Sequence, residues 1–241
     1  MATGTPVTSR LVSPLICLVT DRRRLAGSDP ETFEAVVSQV AAAARAGVDL
    51  VQIREHDLEA RDLLALVRQC VEAVRGTGAR VVVNDRLDVA LAAGAHGVHL
   101  RAQSFAPWRA RALAQPPFLV GRSVHDVAEG LDAARGGQAD YLVAGTVFES
   151  ASKPPGQATL GLEALGRLAR GAGVPVLGIG GMTEDRLAAV CRAGAAGIAA
   201  IGLFLPAGGD DPGRAASAAA RRARAALESA AAARSDTLGL D

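Results

Sequence analysis

The sequence predicts a (β/α)8 barrel, the fold in which eight parallel strands alternate with eight helices. Strand and helix patterns alternate along the chain, glycine or small residues precede several of the strands, and polar residues follow them. The predicted strands are 15–20, 50–54, 80–84, 97–100, 118–123, 141–145, 174–180 and 197–201. The predicted helices are 31–46, 58–75, 87–93, 107–114, 126–135, 162–170, 184–193 and an alanine- and arginine-rich helix at 214–234. We expect one domain over residues 14–241, after a disordered lead of residues 1–13.

Each strand assignment depends on a short, β-branched apolar run that is long enough for a buried strand. A recurring pattern supports the alternation, because small residues end a helix and an apolar run follows within two or three positions. It occurs in RAGVDLVQI, AAGAHGVHL, RGGQADYLV and RAGAAGIAAI. A doubly wound open sheet is the alternative that this pattern leaves open.

Composition excludes several classes of partner. The net charge of +1 and the 3% aromatic content argue against a nucleic-acid-binding surface. The apolar run at 193–209 is shorter than a usual membrane span and contains Gly197, Gly202 and Pro206, so we interpret it as a buried strand and its loop. The N-terminus lacks a signal-peptide layout, and the three cysteines are far apart in apolar segments. We therefore expect a cytoplasmic protein with reduced thiols.

The loops after the seventh and eighth strands predict a phosphate site. In GIGGMTEDRL, Gly180 and Gly181 allow a ligand to approach the backbone, and Thr183 is placed to cap the helix that follows. The eighth strand ends at Ile201 and Gly202, which again offer bare backbone amides. These two loops are the usual phosphate-binding position of a (β/α)8 barrel.

Two further strand ends carry groups suited to catalysis or anion binding. His125 follows Ser123 after the fifth strand, and an imidazole can accept and return a proton near neutral pH. The loop after the sixth strand contains Lys153, the one lysine among 26 basic residues. A compact ammonium group there suits a phosphate or a carboxylate.

The second and third strands end in residues whose roles the sequence leaves open. Asp85, which follows Asn84, could bind magnesium or a ring nitrogen of a ligand, or it could cap the next helix. Arg54 is a candidate anion-binding residue, or it forms a salt bridge with Glu55 at the rim.

The strand-end motifs together resemble the thiamine phosphate synthase superfamily over roughly residues 15–205. The motifs are LVTD at 18–21, QIRE at 52–55, VNDRLDVALAAGAHGVHL at 83–100, DYLVAGTVFESASK at 140–153, GIGGMTEDR and AGAAGIAAIG. The resemblance implies a barrel that binds a phosphorylated thiazole. It also implies that Ser150 and Ser152 belong to the site, beside Asn84, Ser123 and Lys153.

Two positions depart from the synthase pattern. Where the synthases have R-E-K, with a lysine that binds the pyrimidine diphosphate, this chain has Arg54, Glu55 and His56. Where they have H-x-G-Q-x-D, with an aspartate that helps to hold magnesium, His99 is followed by LRAQS and Ser104 takes the aspartate position. A diphosphate leaving group needs its charge neutralised. The GRSVH, HLRAQSFAP, V-F-E and IGGMTEDRL motifs instead resemble the sister group, the thiazole tautomerases.

The resemblance therefore predicts a thiazole tautomerase that shifts a proton within a dihydrothiazole carboxylate ethyl phosphate, with His125 as the acid–base residue and no cofactor. Two alternatives remain open. One is a thiamine phosphate synthase, which would join a pyrimidine diphosphate to a thiazole phosphate with Mg²⁺ and could use Asp85 to bind it. The other is a non-catalytic regulator that binds thiazole phosphate. We also expect a homo-oligomer, because barrels with an apolar outer helix often self-associate.

Overall fold

A computed structural model describes residues 11–25, 32–150 and 158–238 of the chain. Its strands are β1 (Leu15–Val19), β2 (Leu50–Ile53), β3 (Arg80–Asn84), β4 (Gly97–Leu100), β5 (Leu119–Val124), β6 (Tyr141–Gly145), β7 (Val176–Ile179) and β8 (Gly197–Ala200). The helices are α1 (Thr32–Arg45), α2 (Ala60–Ala73), α3 (Leu87–Ala93), α4 (Pro107–Leu113), α5 (Val127–Arg135), α6 (Gly161–Gly171), α7 (Glu184–Arg192) and α8 (Pro212–Leu238).

The strands form a closed parallel barrel in the order β1 to β8, and β8 pairs with β1. This closure confirms the predicted (β/α)8 fold and makes the open-sheet alternative wrong. Every predicted strand is present, and each end lies within two residues of its predicted position. Of the predicted N-terminal lead, residues 1–10 lie outside the described residues, and Leu11 packs against the inside of the barrel.

Two apolar layers stabilise the barrel. Side chains that point inward from alternate strand positions fill the interior, among them Leu15, Cys17, Tyr141 and Leu177. The outward-pointing side chains pack against the helices in a larger second layer. The long helix α8 packs against α1 and α7, on a stripe made almost entirely of buried alanines.

The three cysteines are buried and form no disulfide. Burial raises the pKa of the Cys17 thiol to about 12 and raises that of Cys70 as well. A thiol with a raised pKa is protonated and unreactive near neutral pH, as the sequence predicts for reduced core residues. Among the described helices, none combines the length and hydropathy that a membrane span requires.

Candidate active site

A cavity of about 1240 Å³ opens at the carboxyl-terminal end of the barrel. The strand ends and the loops after them line it, as the fold leads us to expect. All the predicted site residues within the described part of the chain lie on its wall: Arg54, Asn84, Asp85, Ser123, His125, Ser150, Gly180, Gly181, Ile201 and Gly202. Ser152 and Lys153 lie outside the described residues, so their predicted phosphate contacts stay predictions.

The glycine loop after β7 is shaped by its contact with the loop after β6. Gly180 and Gly181 have φ of 98° and 63°, the left-handed region that favours glycine. A Cβ atom on Gly181 would lie 2.4 Å from the carbonyl oxygen of Glu149. Phe148 N donates to Gly180 O at 3.2 Å, so pairing between the two chain segments continues beyond the strands.

Arg186 fixes the same loop from α7, a role that the sequence reasoning missed. Its Nη1 donates to the carbonyl oxygen of Gly181 at 2.7 Å, and its guanidinium lies over the Phe148 ring. The prediction for Thr183 was correct in position and wrong in contact. Thr183 is the N-cap residue of α7, but its side chain makes no capping hydrogen bond.

Ser123 is held by a buried hydrogen-bond chain that the sequence reasoning did not find. His99 Nε2 lies 2.8 Å from Ser123 Oγ, and His99 Nδ1 lies 3.2 Å from the Tyr141 hydroxyl. Burial lowers the pKa of His99 to about 4, so this imidazole is neutral near pH 7. Gly121 leaves the necessary space, because a Cβ atom there would lie 2.2 Å from the Tyr141 ring.

His125 lines the cavity through an ordered turn. Its Nδ1 lies 2.9 Å from the carbonyl oxygen of Gly145, and a neutral ring that donates this bond leaves Nε2 as an acceptor. Asp126 caps α5 by accepting from Glu129 N at 2.8 Å, and the Glu129 carboxylate accepts from His125 N at 2.7 Å. This reciprocal capping fixes the start of α5 and the backbone that carries His125.

The ends of β2 and β3 are joined by a buried amide pair. Gln52 Nε2 donates to Asn84 Oδ1 at 2.8 Å, and both side chains are buried beneath the cavity. Arg54 also lines the cavity, and its backbone N donates to Thr20 Oγ1 at 3.0 Å. Glu55 accepts instead from the backbone N of Arg22, and burial raises its pKa. These contacts favour Arg54 as a cavity cation over a rim salt bridge with Glu55.

Asp85 forms an ion pair with Arg101 at the cavity mouth. Arg101 Nε donates to Asp85 Oδ2 at 2.6 Å, and Nη2 lies 2.5 Å from the same oxygen. The N-cap of α3 is Arg86, so the helix-capping alternative for Asp85 was wrong. Burial alone would raise the pKa of Asp85, but the nearby Ser104 hydroxyl and the Arg101 guanidinium together outweigh burial and lower it. From the sequence alone, Arg101 is recognisable only as an arginine that follows a strand, and its pairing with Asp85 is not.

Cations outnumber carboxylates on the cavity wall formed by the ends of β1 to β4. This wall includes Arg24, Arg54, Arg86 and Arg101, together with the carboxylates of Glu55 and Asp85. In an eight-stranded ring β3 lies opposite β7. The cavity therefore has a cationic wall on one side and, on the other, the glycine loop beside Glu149, Glu184 and Arg186. Fold and site together define a (β/α)8 barrel with room for two anionic groups.

Comparisons with known proteins give the family. A family model described as thiamine monophosphate synthase matches residues 16–204, and the chain belongs to this family. A thiamine-phosphate synthase of Roseiflexus castenholzii is 38% identical over 198 residues, which cover 82% of this chain and 83% of that protein. One from Solidesulfovibrio magneticus is 44% identical over 163 residues, covering 68% and 74% respectively.

A solved structure agrees with these relatives. The thiamine phosphate pyrophosphorylase of Pyrococcus furiosus matches with a TM-score of 0.74 and 29% identity, covering 90% of this chain and 96% of that one. The predicted thiazole tautomerase is therefore wrong as the main assignment, because the similar proteins are named as synthases. The motif departures at His56 and Ser104 had favoured the tautomerase, but they are local changes within a chain that matches synthases over most of its length.

Proposed function

We propose that this protein is a thiamine phosphate synthase, a transferase that joins a hydroxymethylpyrimidine diphosphate to a thiazole phosphate. The observation that carries the proposal is the cavity at the carboxyl-terminal end of the barrel, whose cationic wall lies opposite a glycine-amide wall. Two phosphorylated substrates need two anion sites with their reacting ends between them. The names of the relatives favour this transferase over the regulator alternative.

The reaction exchanges one bond for another. The bond between the pyrimidine methylene carbon and the diphosphate oxygen breaks, and its electron pair leaves with pyrophosphate. The lone pair of the thiazole nitrogen then forms the new carbon–nitrogen bond. No atom changes its redox state, and the ring nitrogen becomes the cation of the thiazolium.

The residues of the chain bind, orient and compensate charge in this scheme. The amides around Gly181 and Gly202 hold the thiazole phosphate, because free N–H groups at a loop and helix start suit an anion. Arg54 binds the diphosphate on the opposite wall. Ser123 lies between the walls and hydrogen-bonds the pyrimidine, and the neutral imidazole of His99 fixes its hydroxyl.

The direct test is to mix the purified protein with both substrates in buffer containing Mg²⁺ and measure thiamine phosphate by mass spectrometry and pyrophosphate by an enzymatic assay. The expected result is equimolar formation of both products, and neither product when one substrate is omitted. An Arg54→Ala variant should lose roughly 10–100-fold in kcat/KM, from the loss of a charge-assisted contact. Absence of product from the wild-type protein would refute the transferase.

A further inference from the structure

The carboxylate of Asp85 is paired with Arg101. Arg101 Nε donates to Asp85 Oδ2 at 2.6 Å, Arg101 Nη2 lies 2.5 Å from the same oxygen, and the backbone N of Arg101 donates to Asp85 Oδ1 at 3.3 Å. The backbone N of Ser104 in turn donates to the carbonyl oxygen of Arg101 at 2.9 Å. The charge of Asp85 is therefore compensated within the protein.

The residues at this position do not fit a resident magnesium ion. Magnesium is usually held by one or two free carboxylates together with substrate phosphates. Here Asp85 is not free but forms an ion pair with Arg101, and Ser104 is neutral where the family motif has its aspartate. Within residues 11–25, 32–150 and 158–238, no cluster of three or more His, Cys, Asp or Glu side chains could hold a metal ion.

The loop that carries Arg101 and Ser104 is fixed in place. Arg122 on β5 donates to the carbonyl oxygens of Ala102 and Phe105 at 2.6 and 2.9 Å. Asp85 itself has φ of 62°, a left-handed conformation that aspartate tolerates better than most residues, and its N donates to His99 O at 2.8 Å. The Arg101–Asp85 pair is thus held by backbone contacts on both sides.

The guanidinium of Arg101 retains donors for a ligand. Arginine has five N–H groups, and Asp85 engages only the Nε and Nη2 nitrogens. The side chain is 59% exposed and lines the cavity. Arg54 lines the same wall, and both guanidinium groups are close enough to His56 to help lower the pKa of its imidazole, after burial as the main cause. Three basic side chains therefore share one small region.

We propose that Arg101, positioned by Asp85 and Ser104, neutralises the diphosphate leaving group in the role that a protein-held magnesium ion would otherwise have. A guanidinium fork matches phosphate oxygens and carries a permanent charge. In the proposed transfer, the electron pair of the broken carbon–oxygen bond goes to pyrophosphate, whose new charge faces Arg101 and Arg54. This inference rests on the proposed function for the identity of the leaving group.

Binding of inorganic pyrophosphate tests the inference without turnover. Calorimetry on the full chain in EDTA should detect binding by the wild-type protein, and Arg101→Ala should weaken it roughly 10–100-fold. Arg101→Lys, which keeps the charge and loses the fork, should fall between the two. The matched control is Arg75→Ala, which removes an arginine paired with Glu72 on α2, outside the cavity. Wild-type binding that requires Mg²⁺, or equal affinity in Arg101→Ala, would overturn the proposal.

A second variant converts the site to the family pattern. Arg101→Gly combined with Ser104→Asp restores the glycine and the aspartate of the motif and frees both carboxylates for a metal. Its pyrophosphate affinity should be at least about tenfold weaker in EDTA and should recover with Mg²⁺. A response to Mg²⁺ equal to that of the wild type would contradict the inference.

Turnover separates the two proposals. If thiamine phosphate forms only when Mg²⁺ is present, the transferase stands and the role of Arg101 fails. If no product forms under either condition while pyrophosphate binds in EDTA through Arg101, the anion site stands and the transferase fails. Product formation in EDTA that depends on Arg101 would support both.

Discussion

A serine hydroxyl is a weak and mobile hydrogen-bonding group unless its surroundings fix it. In this barrel Ser123 is fixed by His99, and His99 is fixed in turn by Tyr141, across strands β4, β5 and β6. Tyr141 is fully buried at one end of this hydrogen-bond chain, and His99 and Ser123 line the cavity at the other end. The cost of this arrangement is that the titratable imidazole of His99 must stay neutral inside the protein.

That cost predicts how stability depends on pH. The pKa of His99 falls from its ordinary value of 6.5 to about 4 in the folded protein, so the unfolded chain binds the extra proton first as pH drops. The stabilising contribution is fully present above pH 6.5 and is lost as pH falls toward 4. Between pH 7 and pH 5 we expect His99 to remove about 2 kcal/mol from the free energy of unfolding.

Urea unfolding of the wild type and of His99→Gln at both pH values measures this contribution. The glutamine variant keeps polar atoms in the site but does not titrate, and all the other groups are common to both proteins. The variant should therefore lose about 2 kcal/mol less between pH 7 and pH 5. Equal losses would mean that His99 is protonated in the folded state at pH 5.

The proposed function changes what we expect of His125. Forming the thiazolium bond requires no proton transfer by an imidazole, whereas an acid–base residue contributes typically 10²–10⁴-fold. His125→Ala should therefore lower kcat/KM for thiamine phosphate formation by less than about tenfold, a loss that reflects only its place on the cavity wall. Steady-state kinetics at pH 7.5 decide the point, and a loss of a hundredfold or more would restore a proton-transfer role.

At the scale of elements, the glycine-amide wall of the cavity depends on two loops that pack together. The loop after β7 could be predicted from its glycines, because a left-handed backbone at the end of a barrel strand has few other uses. The packing of the loop after β6 against it could not be predicted. The contact of Gly181 with Glu149 and the stacking of Arg186 on Phe148 join segments that are far apart in the sequence. Asp85 and Arg101 illustrate the same limit: they are 16 positions apart, and only the β3–β4 register brings them together.

This packing predicts a specific effect of adding one methyl group. Gly181→Ala places a Cβ atom 2.4 Å from the Glu149 carbonyl oxygen at a φ of 63°, so the loop must move. We expect KM for the thiazole phosphate to rise roughly tenfold or more, with a loss of about 1–3 kcal/mol in stability. Gly173→Ala is the control, because its φ is 67° and no atom lies within 4 Å of the new Cβ.

The control separates backbone strain from displacement of the loop. Gly173 lies between α6 and β7, at the opposite end of the strand from the cavity, so its variant should lose stability and keep the wild-type KM. If Gly181→Ala keeps the wild-type KM as well, the amides of this loop do not hold the thiazole phosphate.

At the scale of the whole molecule, periodicity predicted the fold because a barrel repeats one unit. Each strand is short and mostly buried, and at four places small residues end a helix before an apolar run, so the pattern recurs along the chain. The contacts that close the barrel are not part of this repeating pattern. The pairing of β8 with β1 and the packing of α8 on α1 join the two ends of the chain, and no local signal specifies them. Self-association stays a prediction.

Arg224 on α8 makes this closure specific. It donates to the carbonyl oxygens of Pro14 and Gly47 and forms an ion pair with Asp49 at 2.6 Å. Asp49 is partly buried and also accepts from the backbone N of Ile16 at 2.7 Å. Burial raises the pKa of Asp49, and Arg224 opposes that rise. One side chain of the last helix thus fixes the segments before β1 and β2.

Replacing this side chain by an apolar one should destabilise the closed barrel more than its surface position suggests. Arg224→Met leaves the Asp49 carboxylate without its cation, at a cost of about 2 kcal/mol and a fall of about 4–8 °C in Tm at pH 7. The deficit should shrink as pH falls toward 4, because a protonated Asp49 no longer needs the cation. Arg221→Met, on the same helix and exposed, should change Tm by less than about 2 °C. Calorimetry across this pH range tests the assignment, and a deficit that stays constant with pH would show that Arg224 acts through its backbone contacts alone.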